Sequence, residues 1–328
     1  MRISNQAASS HVLLCAALFI SLLPIHSRAT PKWVPIAVER PIFIQAHDPN
    51  PSGLCLSGCE AGKVCVEGKC VSCGGYAEPC CGGNQCGTGT SCLPAGCCGR
   101  QLFYDDFSEG LDTGKWSVAD VSVYDTSYWR TSNTTVDAGK LKLTAQVDSG
   151  LNYGYSSGSI SSRQFLGFGR YRIKAKVTKQ PGLVPAFWFL GPQCAEIDVF
   201  EAGGLHGFDP SKLLIGYYPT QPLPSSSCSP MRHLPDEEHT GICSYAEAFH
   251  VYEIDWSPSR ILVSVDGTEV YRTQPEDHDI PQSPMQLIFN LNVEANSKGW
   301  PDNQVTQYTQ FPSSFLIDKV EGWTTCSK

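Results

Sequence analysis

The sequence predicts an all-β protein, a two-sheet β-sandwich with a small disulfide-rich module on its N-terminal side. From Leu102 onward, short runs alternate apolar and polar residues, as strands with one buried face require. Few stretches carry helical spacing. Eleven of the 16 cysteines crowd into residues 55–98, where so few other large residues accompany them that disulfides must stand in for a hydrophobic core. At 328 residues the chain has room for one large core and one appendage.

The elements follow in order. Arg2 precedes an apolar run from Val12 to Pro24 that ends near Ser27-Arg28-Ala29. Residues 1–29 therefore read as a secretory signal cut close to Thr30, too short to span a bilayer. Residues 30–54 are Pro-rich and read as a linker. In the module, 55–98, the run Cys73, Cys80-Cys81, Cys86, Cys92 and Cys97-Cys98 resembles a knottin spacing, and Cys55, Cys59, Cys65 and Cys70 form an earlier loop group. Spacing alone does not give their connectivity. Tyr76 is the module's only aromatic residue, which favours a stapled spacer or protein-contact role over glycan binding. So many cysteines in an exported chain favour disulfides. Cys15 leaves with the signal, so fifteen remain and at least one thiol is free or pairs outside the chain. In the large domain, 101–327, Leu141 and Leu143 alternate with polar neighbours, and Tyr171, Ile173, Ala175 and Val177 alternate with Arg172, Lys174 and Lys176. Ile261 to Val265, Asp266-Gly267 and Glu269 to Tyr271 read as a hairpin through a tight turn.

The chemistry concentrates in Ala195-Glu196-Ile197-Asp198-Val199-Phe200-Glu201, between the apolar run Val184 to Leu190 and Gly203-Gly204. Side chains on a strand alternate faces, so Glu196 and Asp198 point one way while Ile197 and Val199 point into a core. Glu201 sits at an odd offset and would fall on the wrong face. A β-bulge near Val199 or Phe200 returns it to the side of the other two acids. The two glutamates are then about four strand steps apart, and their inward-leaning side chains leave about 6 Å between carboxyls, near the about 5 to 5.5 Å of a retaining glycosidase. One Glu would attack the anomeric carbon while the other protonates the leaving oxygen and later deprotonates a water. Three crowded acids cannot all ionise comfortably, so at least one proton is retained near neutral pH. Spacing does not say which Glu holds it.

Glu196-Ile197-Asp198-Val199-Phe200-Glu201 resembles the longer, bulged signature of glycoside hydrolase family 16, the family of laminarinases, lichenases, agarases and carrageenases. Ser157 to Ser162 followed by Phe168-Gly169-Arg170-Tyr171, then Pro185-Ala186-Phe187-Trp188, Phe249-His250-Val251-Tyr252 with Asp255-Trp256, and Asp318-Lys319-Val320 match the family in order. The resemblance spans roughly residues 101 to 323 and implies a jelly roll with a concave sheet crossing the substrate. It further implies that Glu196 is the nucleophile, Asp198 its electrostatic partner and Glu201 the acid/base. Val184 stands where many laminarinases have Trp, which sets this chain apart from them.

Pyranose rings stack on aromatic faces, so Trp129, Trp188 and Trp300 are candidates to line subsites, each with a core position as its alternative. Asn133 opens the glycosylation sequon Asn133-Thr134-Thr135, yet it also matches a family position that faces the substrate; the two readings exclude each other. Cys228, His233, His239 and Cys243 have the residue types of a zinc site but fit no common finger spacing, so a Cys228 to Cys243 disulfide is preferred and no metal site is expected. Asp236-Glu237-Glu238 reads as a solvated run, and His206 either borders the cleft or is an ordinary loop histidine. Cys194 is either a disulfide fastening the cleft wall, with Cys326 as a partner to consider, or the odd thiol. Asp318 divides between a family-like structural calcium site and a strand-end acid, with the acid preferred, so no other cofactor is expected.

The net charge of −8 offers no general basic field for nucleic acid or anionic membrane, and no later apolar stretch reaches transmembrane length. The expected protein is a secreted, extracellular monomer, a retaining endo-glycosidase on internal β-linkages of a polysaccharide, with a β-1,3-glucan as first choice. The alternatives are a galactan hydrolase of agar or carrageenan type, a transglycosylase, and a catalytically silent glycan-recognition protein.

Overall fold

The computed structural model describes residues 59, 61–66, 69–74, 77–82, 85–87, 90–92, 96–123, 126–204, 207–219, 237–241, 244–274, 279–295 and 302–325. The expected signal and linker, and with them Tyr76, His206, Cys228, His233, Asp236, Cys243, Trp300 and Cys326, lie outside the described residues. Among the described residues no helix is long and apolar enough to cross a membrane.

Two large sheets face each other. One has the strand order Glu237–Thr240, Asp209–Tyr218, Glu196–Gly203, Leu183–Leu190, Met285–Val293, Ser159–Leu166, Trp116–Val118. The other is built around Gly169–Lys176, which lies between His250–Ser257 and Ser313–Trp323. Neighbouring strands run antiparallel in both sheets, apart from the short parallel pair Ser127–Trp129 and Tyr155–Ser157. The result is the two-sheet all-β sandwich that the alternation predicts, with the jelly-roll form that the family resemblance implies.

Period-2 patterning decides which side chains enter the space between the sheets. In Gly169–Lys176, Tyr171, Ile173 and Ala175 are fully buried, while Arg170, Arg172, Lys174 and Lys176 point outward. Phe187 and Phe189 do the same on Leu183–Leu190, as do Leu287, Phe289 and Leu291 on Met285–Val293. Aromatic rings bridge the sheets: Phe189 lies 5.3 Å from Tyr171 and 6.0 Å from Trp256, and Phe200 lies 4.4 Å from Tyr252. Each such side chain contributes about 1.5 to 3 kcal/mol by leaving water.

The outward charges pair with one another. Arg172 meets Glu253 at 2.6 Å, Arg170 and Arg260 share Asp255, and Lys174 and Lys140 both reach Asp318. The expected hairpin is present, with Val265 facing Thr268 across Asp266-Gly267; both turn residues have positive φ, the geometry of a two-residue turn.

Among the described residues of the cysteine-rich segment the bridges include Cys59–Cys70, Cys73–Cys81, Cys80–Cys92 and Cys86–Cys98, and Cys65 and Cys97 are disulfide-bonded as well. Of these, Cys73–Cys81, Cys80–Cys92 and Cys86–Cys98 follow one another along the chain. These three interlace, each opening inside the loop that the one before it closes. Two short hairpins, Lys63–Val66 with Lys69–Ser72 and Ser91–Cys92 with Cys98–Gly99, are all the sheet this segment shows among its described residues. Among the described residues no cysteine is free, and Cys194 is itself disulfide-bonded. Cys194 is therefore not the odd thiol.

Candidate active site

The acids stand on Glu196–Gly203, and the pairing on both sides locates the bulge. Toward Leu183–Leu190 the register runs Ala186 to Glu201 and Phe187 to Phe200, then jumps to Trp188 opposite Asp198. Toward Asp209–Tyr218, Asp198 faces Gly216 and Glu201 faces Leu214. Val199 and Phe200 thus oppose a single residue, Ile215, which defines a bulge. Ile197, Val199, Phe200 and Ala202 all enter the core. Glu196, Asp198 and Glu201 all line one cleft on the opposite face, Asp198 buried and the two glutamates half-buried.

That cleft holds about 390 Å³ of space open to solvent, and its other walls are Trp129, Ala186, Trp188, Asn290 and Asn292. Ala186 lies directly beside Glu201 on one side and Asn290 on the other, so a methyl group forms the floor where a larger side chain would fill the site. Trp188 belongs to the cleft rather than the core, and its indole N–H donates to Asn290 Oδ1 at 2.6 Å. Asn290 in turn donates to Asn292 Oδ1 at 3.1 Å. Trp129 presents a buried indole N–H without a hydrogen-bond partner, and the hydroxyls of Ser127 and Ser157 on its own and the adjoining strand are in the same condition.

Of the residues singled out from sequence, the structure brings together Glu196, Asp198, Glu201, Trp129 and Trp188. It does not bring Asn133 to the cleft lining. Asn133 is 4% exposed; its Nδ2 donates to Ser156 Oγ at 3.0 Å, and its Oδ1 accepts from Ser132 and Gln146. Its amide is engaged on both ends. Asn290 and Asn292 are the residues sequence reasoning missed. Their signal is the polar residues at even positions, Gln286, Asn290 and Asn292, on one face of the run Met285 to Val293.

The turn that feeds Glu196 is unusual. Gln193 and Cys194 both have positive φ, 56° and 58°, and Gly191 N–H donates to Ala195 O to close the loop. Two successive non-glycine residues in the left-handed region carry strain, and one of them, Cys194, is disulfide-bonded.

The residues weighed as metal ligands make other contacts in this structure. Both oxygens of Asp318 accept ammonium groups, Lys174 at 2.8 Å and Lys140 at 3.3 Å. Burial alone would raise its pKa, but these two bonds outweigh it and hold the carboxyl below the ordinary range. A calcium ion needs several oxygens gathered around it, and this carboxylate is already spent on cations. The sulfurs of Cys80, Cys86 and Cys98 lie within 4.8 Å of one another, yet all three are in disulfides and offer no thiolate. His239, from the sequence's zinc-like set, sits on the edge strand Glu237–Thr240, where burial lowers its pKa.

Comparison with known proteins places this geometry among its relatives. The beta-glucanase of Acetivibrio thermocellus is 29% identical over 206 residues, 60% of this chain and 54% of that protein. Glucan endo-1,3-beta-glucosidase A1 of Niallia circulans is 29% identical over 272 residues, 68% of this chain and 37% of that protein. The chain thus spans about half the length of these relatives or less. The catalytic domain of an endo-1,3-beta-glucanase (laminarinase) from Thermotoga petrophila RKU-1 shares the fold, with a TM-score of 0.56 at 22% identity over 69% of this chain and 97% of that one. The family model for glycosyl hydrolases family 16 matches residues 122–310, a stretch that contains the bulged strand and every wall of the cleft, and the chain belongs to that family.

Proposed function

We propose that the chain is a secreted retaining endo-glycosidase that cuts internal β-linkages of a glucan, with β-1,3-glucan as the first substrate. The observation that carries this reading is the bulge. It sets Glu196 and Glu201 on one wall at partners Leu190 and Ala186, four strand steps apart, or about 13 Å along the backbone. Side chains leaning toward each other from that spacing leave about 6 Å between carboxyls, which suits a nucleophile and an acid/base on one glycosidic bond.

In the first step a Glu196 oxygen forms a bond to the anomeric carbon as the glycosidic C–O bond breaks, and Glu201 gives its proton to the departing oxygen. In the second, Glu201 takes a proton from water, the water oxygen bonds to the anomeric carbon, and the Glu196 carboxylate leaves. Asp198, buried on the strand between them, is the electrostatic partner of the pair. Trp188, held by Asn290, and Trp129 offer ring faces to the sugar. An open cleft, rather than a closed pocket, suits attack within a chain. The named activities of the two relatives, a beta-glucanase and a glucan endo-1,3-beta-glucosidase, support the choice of substrate.

The test is release of reducing ends from laminarin, lichenan, agarose and carrageenan by the mature protein, with Glu196→Gln and Glu201→Gln beside it. Laminarin cleavage is expected, with the β-anomer appearing first by NMR, and each variant should lose at least about 1,000-fold in kcat. Undiminished activity in Glu196→Gln, or an inverted first product, defeats the reading.

A further inference from the structure

A bulge is a local fault in strand pairing, and something must fix which residue becomes the extra one. Val199 and Phe200 both turn into the core, so the question is what holds Phe200 there. Its ring is boxed by three others: Tyr252 at 4.4 Å, Phe315 at 6.1 Å and Phe187 at 6.2 Å. Phe315 and Phe187 meet it edge-on, whereas the Tyr252 contact is the closest of these and the rings are tilted by 41°. Tyr252 belongs to His250–Ser257 in the facing sheet, and it is fully buried. Its own position is fixed from behind. His250 and Tyr245 pack around it, and Asp266 clamps the start of that strand through His250 Nδ1 at 2.7 Å and Val251 N–H at 2.8 Å. The Tyr252 hydroxyl makes no hydrogen bond and is not what the position requires. The ring is.

We propose that Tyr252 and Phe200 are positioning residues: their ring contact across the sandwich selects the bulge and thereby holds Glu201 on the cleft wall, level with Glu196. The proposal rests on the catalytic reading of the two glutamates. Without the ring from the facing sheet, Phe200 has space to retract, the bulge is no longer held in one geometry, and Glu201 shifts from its place opposite Ala186. Glu196 and the sugar-facing Trp129 and Trp188 are on the other side of the shift or on other strands, so glucan binding stays. The consequence is a loss in kcat with little change in KM, since displacement of a reacting group by about 1 Å costs up to about 100-fold.

The experiment compares Tyr252→Phe, Tyr252→Leu and Phe200→Leu in the full chain by kcat and KM on laminarin. Tyr252→Phe should stay within about twofold of the parent, because the hydroxyl it removes is unpartnered. Tyr252→Leu and Phe200→Leu should lose about 10- to 100-fold in kcat with KM within about threefold, and the acidic and basic limbs of the pH profile should draw together as Glu201 is displaced. Unchanged kcat in both leucine variants overturns the proposal, as does a rise in KM that accounts for the whole loss. If the leucine variants do not fold, amide hydrogen exchange on the parent decides: Val199 to Glu201 and Tyr252 should open together, and independent opening overturns the coupling. A parent that releases no reducing ends overturns the catalytic reading, while common opening in the exchange measurement still supports, and separate opening still overturns, the hold of Tyr252 on the bulge.

Discussion

Deleting Val199 should leave the enzyme working. The bulge exists because Glu201 stands at an odd offset from Glu196, and removing one residue makes the offset even. The shortened strand, Glu-Ile-Asp-Phe-Glu, alternates without interruption, with the three acids on the cleft face and Ile197 and Phe200 in the core. Both glutamates keep their present partners on Leu183–Leu190, Leu190 and Ala186, four steps or about 13 Å apart. The cost is the side chain of Val199, fully buried, about 1.5 to 3 kcal/mol. About 1 kcal/mol returns as the interrupted ladder closes. A net loss of about 0.5 to 2 kcal/mol in a domain of this size lowers Tm by about 1 to 8 °C. Inserting one alanine between Asp198 and Val199 does the opposite. A straight register then sets the glutamates six steps, about 20 Å, apart, too far to share one bond, and activity should fall at least about 1,000-fold. Both variants are read by reducing-end release from laminarin and by thermal melting. A deletion variant that melts in the expected range yet cuts nothing, or an insertion variant that keeps its rate, would refute the register argument.

Other expectations rest on single contacts. Asn290→Ala removes the acceptor of the Trp188 N–H and should lower kcat/KM on laminarin about tenfold, mostly through KM, with the melting temperature little changed. Asp318 is held below the ordinary carboxylate range, so the stability it supplies is present at neutral pH and lost as pH falls through its folded-state value. Asp318→Asn should therefore cost about 1 kcal/mol at pH 7 by denaturant titration, and the gap from the parent should narrow as pH falls below the ordinary carboxylate range. The double change Cys80→Ala and Cys92→Ala opens one of the interlaced bridges; limited proteolysis should then cut between residues 73 and 98, while laminarin cleavage stays within about twofold. Protein from a secreting eukaryotic host should carry no glycan at Asn133 by peptide mass mapping, since its amide nitrogen is buried against Ser156.

The acids and their bulge were legible because the reasoning needs only the period of a strand: three carboxylates at offsets two and five cannot share a face unless one residue is extra. The outward row Arg172, Lys174 and Lys176 was legible for the same reason. Trp129 and Trp188 left two readings open, since an aromatic residue beside an apolar run fits core and cleft alike, and only the partner strands decide. Asn133 shows the limit more sharply. Its fate is set by Ser156 and Gln146, which reach it from other strands, and nothing in its own neighbourhood announces them. Asn290 and Asn292 were hidden because the alternation of Met285 to Val293 places them with Gln286 on one face and does not say what that face meets. Cysteine pairing was beyond reach on principle, since spacing admits many connectivities.

The first and last strands of the sandwich meet. Gln101 lies opposite Trp323, and Arg100 and Thr324 exchange two hydrogen bonds of 3.0 Å beyond them. This seam belongs to the sheet that does not carry the acids. Residue 324 therefore abuts residue 100 closely enough that a short added loop would join them, and new termini opened in an exposed hairpin such as Asp266-Gly267 would leave both sheets covalently continuous through the catalytic wall. The cysteine-rich segment enters at the same seam, so exchanging it for another cargo is an edit at the rim of the opposite layer.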